Sequence, residues 1–349
     1  MVKITRLPSG SYRARVHLGG GKYKSITGKD KKEVQLKAAQ LEAEIKQTAD
    51  IPEEALLTLG EAMQKYIDSK SAILSPSTIR GYDSLMRTRV DAVKDMRLCD
   101  LTQEVIQKLI NADAVDHSPK SVRNLHCFIS AVLDVYRHDL KLDTSLPQRK
   151  KPKICIPTKD EIDKLVDYFH DTEMEIPFLL AACCGLRESE ICGLKWENVD
   201  LEGDRMYITS ACVMNKEQRL VEKGTKSESG ERVIRLYPYI KDALVRARGK
   251  SDGDRVTQLH PRVIYGRFTA ALKKLGFPHY RFHDLRHYLV SVMLSLNIPK
   301  NYIADFVGHA DETMIDRVYG HIMETQKTTF EDMLQSFFEK SVTKSDTKK

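Results

Sequence analysis

The chain has no apolar run approaching the length of a membrane span, and its opening, MVKITRLPSG, lacks the apolar core of a secretory signal. These absences argue against a membrane-embedded or exported protein, and the expected location is the cytoplasm. The seven cysteines are odd in number, and Cys183, Cys184 and Cys192 form no paired C-x-x-C sets. A disulfide framework and a structural zinc site are therefore disfavoured, and the cysteines read as reduced thiols, mostly buried. There is no phosphate-binding loop, no clustered Asp/Glu set suited to two-metal chemistry, and no internal repeat. Acidic residues are scarce at the N-terminus: in residues 1–32 only Asp30 opposes nine Lys or Arg.

What is present fits two or three globular domains, since 349 residues with 41% hydrophobic content can bury several cores. The net charge is +7, but the first 32 residues alone carry +8, which leaves about −1 for everything after them. A basic segment on a nearly neutral body is the footprint of a polyanion-binding appendage, with a solvated basic surface as the plainer alternative.

The stretch SYRARVHLGGGKYKSITG alternates like two strands joined at Gly19-Gly20-Gly21, with Arg13, Arg15, Lys22 and Lys24 flanking Tyr12 and Tyr23. Asp30, with Glu33 three positions on, suggests a capping box before a helix whose apolar face is Val34, Ala38, Leu41 and Ile45. A small sheet backed by a helix is the expected first module, residues 1–50, and a two-stranded ribbon of this kind can enter a DNA major groove. Four helices follow within 55–145, with starts marked by Thr58, Ser75-Pro76, Thr102 and Ser118-Pro119. The proline- and lysine-rich SLPQRKKPKICIP makes 146–157 the expected linker, whose charge could track a phosphate backbone. From Thr158, which pairs with Glu161 as a second capping box, the chain reads as mixed α and β to about residue 340. In it, RMYITSACVM and ERVIRLYP are strand-like, and EKGTKSESG is the expected turn at a hairpin tip. Residues 341–349 are the expected disordered tail.

Four stretches stand out within that last domain: CGLRESEICGLKW with Arg187, GTKSESGERVI with Lys226, HDLRH with His283 and Arg286, and VGHADETMIDRVYGH with His309 and Tyr319. Each residue has an innocent reading taken alone. Arg187 could simply pair with Glu190, Lys226 could be an exposed turn lysine, and Tyr319 could be a half-buried aromatic. His279, His283 and His287 recur at four-residue spacing, as zinc ligands on a helix would, but Pro278 and the aromatic stretch before His283 oppose a helix there.

Together, the order and spacing of G-L-R-x-S-E, T-K-S before a strand, H-D-L-R-H, and G-H followed by tyrosine resemble the tyrosine recombinase family, the phage integrase group in particular, over about Thr158 to Met323. The four-helix region is similar to that family's core-site DNA-binding domain, and the basic hairpin with its helix to the arm-site module of some integrases. Tyr288 and Leu289 stand where many relatives carry small or polar residues. The resemblance implies a multidomain α+β fold with three parts: a small sheet-plus-helix module, an all-α four-helix core-binding domain, and a mainly α catalytic domain with a small antiparallel sheet.

The chemistry suits the residue types. A tyrosine can attack a DNA phosphodiester, two guanidiniums can clamp the charge of the transition state, and a lysine can protonate the leaving 5′ oxygen. The resemblance assigns Tyr319 as nucleophile, Arg187 and Arg286 as the clamp, Lys226 as acid, His283 as acid/base to the tyrosine, and His309 as donor to the phosphate. Neither ATP nor a metal is then required, and no cofactor is expected. The expected contacts to DNA are Arg13, Arg15, Lys22, Lys24, Arg80, Lys120, Arg123, Lys150 and Lys151. The expected function is integration, and with a helper excision, of a phage or other mobile element. The partners would be duplex DNA at core and arm sites, three further copies of the chain on DNA, an excisionase, and a host DNA-bending protein. A Xer-type chromosome-dimer-resolving recombinase, a type IB topoisomerase and a non-catalytic DNA-binding regulator are the alternatives.

Overall fold

A computed structural model of the chain describes residues 3–19, 22–49, 52–149, 155–224, 231–250, 253–308 and 315. It divides into two compact units, residues 1–150 and 151–349. Among the described residues, no helix is long and apolar enough to cross a membrane.

The first unit opens with an antiparallel sheet of β1 (Ile4–Arg6), β2 (Tyr12–Gly19) and β3 (Lys22–Gly28), in that order, followed by α1 (Lys31–Ala49). Strand alternation turns Ala14 and Val16 onto Val34 and Ala38 of α1, forming a small core. Arg13, Arg15 and His17 therefore project from the opposite face, paired in register with Thr27, Ser25 and Tyr23. Asp30 caps the Lys32 N–H at 2.8 Å, but the expected capping box is replaced by an ion pair, because Glu33 reaches forward to Lys37 at 2.6 Å.

The four expected helices are α2 (Leu59–Lys70), α3 (Pro76–Thr88), α4 (Gln103–Asp116) and α5 (Pro119–Tyr136). Thr58 and Glu61 form a reciprocal capping box, and the Thr102 and Ser118 side chains cap α4 and α5. Each such cap contributes about 1 kcal/mol. The helices close over Leu59, Met63, Ile106, Leu125 and Phe128, with the Tyr82 ring stacked on Phe128 at 4.2 Å. The segment leading into the expected linker, and Pro147 within it, are held against these helices. Gln103 exchanges hydrogen bonds with the backbone of Asp143, Gln107 with that of Ser145, and Arg123 Nη2 donates to the Pro147 carbonyl at 2.8 Å.

The second unit begins with α6 (Lys159–Phe169), again capped by a Thr158–Glu161 box, and α7 (Glu175–Ala182), every residue of which is buried. Then come α8 (Glu188–Gly193), β4 (Val199–Asp200), β5 (Arg205–Ile208), β6 (Ser210–Met214), β7 (Leu220–Gly224), β8 (Arg232–Arg235), α9 (Pro238–Arg248), α10 (Pro261–Leu275), α11 (Asp284–Ser295) and α12 (Lys300–Val307). Here the structure corrects the hairpin expected from the sequence. RMYITSACVM is two strands: β5 pairs with β8, while β6 pairs with β7. The tip is at Asn215–Arg219, where Asn215 N–H donates to the Arg219 carbonyl at 3.0 Å and the Asn215 side chain accepts from the Arg219 N–H at 2.8 Å. Glu222 to Gly224, expected in the turn, continue the ladder. Lys226 thus belongs to the connection between β7 and β8, which leaves opposite Ser210 and returns opposite Ile208.

All seven cysteines are free, but only Cys184, Cys192 and Cys212 are buried, while Cys127 and Cys155 are exposed. Burial pushes the Cys183 thiol up to about 11 and the Cys192 thiol up to about 12, so both stay protonated.

Candidate active site

Arg187 is delivered by a sharp reversal. After α7 the chain passes Gly185 at φ +65°, a left-handed conformation that suits glycine, and an added Cβ would meet Leu289 at 3.0 Å and Val307 at 3.2 Å. Two residues on, Arg187 caps α8, with its N–H and its Nη1 donating to the two Glu190 carboxylate oxygens at 3.0 and 2.6 Å. Its Nη2 donates to the Gly308 carbonyl at 2.6 Å. About a third of the Arg187 side chain remains exposed, which leaves it accessible to a ligand.

Arg286 lies in the first turn of α11 and is almost wholly buried, with Nη1 donating to the Gly185 carbonyl at 2.6 Å. Arg286 is thus held to the reversal that carries Arg187, whose own guanidinium is held by Glu190 and Gly308. His283 immediately precedes α11, without a side-chain capping bond, and its ring meets the His287 ring edge-on with centroids 5.1 Å apart. Surrounding protein, then His287, Arg286 and Arg187, hold His283 down to about 4, although part of its surface is open to solvent. At neutral pH it is an uncharged imidazole beside two arginines, able to accept a proton.

Glu190 was weighed from the sequence only as an innocent partner of Arg187, and Arg232 was not singled out at all. In the structure they form a buried pair at 2.8 Å, with side chains 3% and 7% exposed. Burial alone would raise the Glu190 carboxyl, but Arg232 and the backbone N–H and charge of Arg187 hold it below the usual range. The sequence signal was faint: a carboxylate placed directly before Ile191 and Cys192, both of which are core residues.

Lys226, His309 and Tyr319 lie outside the described residues. Ile315, six positions after His309 and four before Tyr319, is buried with Val290, Leu294, Ile303 and Val307. The histidines considered for zinc are split: His279 lies before α11, His283 immediately precedes its first residue, and His287 lies within it. Among the described residues, no group of three or more His, Cys, Asp or Glu is arranged as metal ligands.

The residues expected to contact DNA are dispersed. Arg13 and Arg15 share the open face of the N-terminal sheet, whereas Lys24 pairs in register with Val16 on the helix side, and Lys22 sits opposite Gly19. Arg80 is half-buried on α3, and Lys120 is exposed in the first turn of α5. Arg123 spends one donor on Pro147. Lys150 and Lys151 are outside the described residues.

Residues 157–326 match the phage integrase family. The chain is 23% identical over 379 aligned positions to a XerC-like tyrosine recombinase of Caldanaerobacter subterraneus subsp. tengcongensis, covering 94% of this chain and 96% of that protein. In fold it is similar to the Tn1549 transposon integrase in complex with transposon right end DNA, with a TM-score of 0.65 and 17% identity over 75% of this chain and 95% of the other. It is also similar to a lambda integrase dimer bound to a COC′ core site, with a TM-score of 0.59 and 18% identity over 90% of this chain and 93% of the other.

Proposed function

We propose, from the match of residues 157–326 to the phage integrase family, that the chain is a tyrosine recombinase that integrates a phage or other mobile element at a specific DNA site. One observation carries the reading: the Arg286 guanidinium is held by the Gly185 carbonyl, two residues before Arg187, whose own guanidinium is held by the Gly308 carbonyl at the end of α12, just before His309 in the chain. Two guanidiniums set by backbone carbonyls are preorganised for the charge of a phosphoryl transition state.

In the proposed reaction the Tyr319 oxygen bonds to phosphorus and the bond to the 5′ oxygen breaks, leaving a 3′-phosphotyrosine. His283 takes the phenolic proton, Lys226 gives a proton to the leaving oxygen, and His309 donates to the phosphate. The 5′ hydroxyl of another strand then attacks the phosphotyrosine and restores a phosphodiester, so bond energy is conserved. Duplex DNA is the substrate. The neighbouring integrase structures, solved on DNA, one as a dimer and another as a tetramer, support assembly of four copies on paired sites. An excisionase and a host DNA-bending protein complete the proposed partners.

The domain assignment follows from this: 1–50 for arm sites, 55–145 for core sites and 158–340 for catalysis. A second reading, a Xer-type chromosome-dimer-resolving recombinase, is favoured by the end-to-end likeness to the XerC-like protein. The cationic N-terminal sheet, with Arg13 and Arg15 on its open face, weighs toward the integrase.

The test is a nicked suicide duplex run on a denaturing gel. Wild type is expected to form a covalent protein–DNA adduct that survives excess EDTA, because arginine and lysine supply the charge a metal would otherwise provide. Tyr319→Phe is expected to bind the same duplex and form no adduct. An adduct persisting in that variant would move the nucleophile elsewhere, with the exposed Tyr302 of α12 as the nearest rival.

A further inference from the structure

Arg232 begins β8, where the connection containing Lys226 rejoins the sheet opposite Ile208. Its Nη2 donates to Glu190 Oε2 at 2.8 Å and its Nε donates to the Phe306 carbonyl at 2.9 Å. The same Glu190 oxygen accepts from the Arg187 N–H, and the other accepts from Arg187 Nη1. Arg187 in turn bonds the Gly308 carbonyl, two residues beyond Phe306. One buried carboxylate and two guanidiniums thus tie together α8, β8 and the end of α12, the elements next in the chain to Arg187, to the connection containing Lys226 and to His309.

We propose that Arg232 is a positioning residue for DNA strand cleavage: by fixing the Glu190 carboxylate and the end of α12 together, it holds Arg187 and the chain entering the His309 stretch in register. Stability does not account for an arginine here. A buried ion pair is commonly matched or bettered by apolar residues of the same volume, because burying the charges costs about as much as their attraction returns. What an apolar side chain lacks is the ability to hold a carboxylate and a carbonyl at once through two N–H groups of one rigid plane. Lysine lacks it too, since its single ammonium on a flexible stem is not a planar fork. The spacing of the two acceptors is therefore what the guanidinium encodes, and it sets where Arg187 lies relative to α12.

This inference rests on the recombinase reading, and the experiment separates the two. Wild type, Arg232→Lys, and Arg232→Met combined with Glu190→Gln are compared for melting temperature, affinity for a core-site duplex by gel shift, and single-turnover adduct formation at saturating protein. Arg232→Lys is expected to bind within about twofold of wild type yet form adduct about 100-fold more slowly, the scale of loss that a misplacement of about 1 Å produces. The Met/Gln pair, which removes the charges of Arg232 and Glu190 together and leaves the part-exposed Arg187 without its carboxylate, is expected to melt close to wild type and cleave slowly. Cleavage within about threefold of wild type in either variant would overturn the assignment, as would melting more than about 10 °C below wild type in both, which would make Arg232 a structural strut. Absence of adduct from wild type itself would overturn the recombinase reading, and this assignment with it.

Discussion

Arg187 Nη2 donates to the Gly308 carbonyl oxygen at 2.6 Å, joining two residues 121 positions apart. That carbonyl points where it does because Gly308 ends α12 in the left-handed conformation, φ +68°, with its N–H returning to Ala304 and Asp305. Gly308→Ala must either carry about 1–2 kcal/mol of backbone strain or rotate the carbonyl away from Arg187. The expected outcome is a melting temperature a few degrees lower, unchanged core-site affinity, and adduct formation slowed at least about tenfold. Wild-type cleavage in this variant would show that the carbonyl has no part in setting Arg187.

His283 gives a pH dependence whose sign follows from its environment. Its folded-state value is depressed to about 4 from the ordinary 6.5, first by the protein packed around the ring, although the residue is exposed overall, and then by His287, Arg286 and Arg187. Protons therefore bind the unfolded chain more readily than the folded one between about pH 6.5 and 4. The His283 contribution to stability is full above that window and is lost as pH falls through it. Adduct formation is expected to show no inflection from His283 between about pH 6 and 8, because the ring is already neutral there. Titration of the His283 ring signals by NMR checks this directly, and a midpoint near 6.5 would contradict it.

Much of this arrangement was legible in the sequence, and the parts that were not share a cause. Thr58, Thr102, Ser118 and Thr158 announced helix starts correctly because a cap is decided by residues within one turn of each other. The Asp30–Glu33 box failed on an equally local competition, as Lys37 lies one turn ahead and draws the carboxylate forward. The hairpin was read as one pair of long strands because alternation continues across Thr209. What splits the ladder is the extra chain between Gly224 and Arg232, a matter of register that periodicity does not record. Arg232 and the role of Glu190 were invisible for a related reason: their meaning comes from contacts with Arg187 and Phe306, brought close only by the fold.

The N-terminal sheet separates its basic residues by face, and so predicts different effects for them. Arg13 and Arg15 lie on the open face with His17 and Tyr23, whose rings meet at 4.8 Å, while Lys24 is in register with buried Val16. If the open face meets DNA, Arg13→Ala with Arg15→Ala removes up to two phosphate contacts. The slope of log affinity against log salt for arm-containing DNA is then expected to fall by about 2, with core-site cleavage retained. Lys24→Ala is expected to change that slope by less. Equal slopes for the double variant and wild type would leave the basic segment as a solvated surface.

One buried ion pair joins three helices of the first unit. Arg89, at the end of α3, sits 9% exposed against Asp113 of α4, 4% exposed, through both of its side-chain branches, and its remaining Nη1 donates to Ser121 of α5 at 3.1 Å. His117, one turn beyond Asp113, approaches the same carboxylate at 3.2 Å. Three helices thus meet on one ion pair at the N-terminal end of α5, the turn that carries Lys120. Removing one partner strands the other charge in the interior. Arg89→Met alone, or Asp113→Leu alone, is therefore expected to cost about 3–5 kcal/mol in urea unfolding. Changing both together is expected to recover most of that loss, since two apolar side chains of similar volume leave no buried charge unpaired. The single variants are also expected to weaken core-site binding while the double variant binds near normally, because Lys120 depends on where α5 begins and not on the charges beneath it. A double variant as unstable as the singles would mean that the pair acts through shape and hydrogen bonding to Ser121, not through charge.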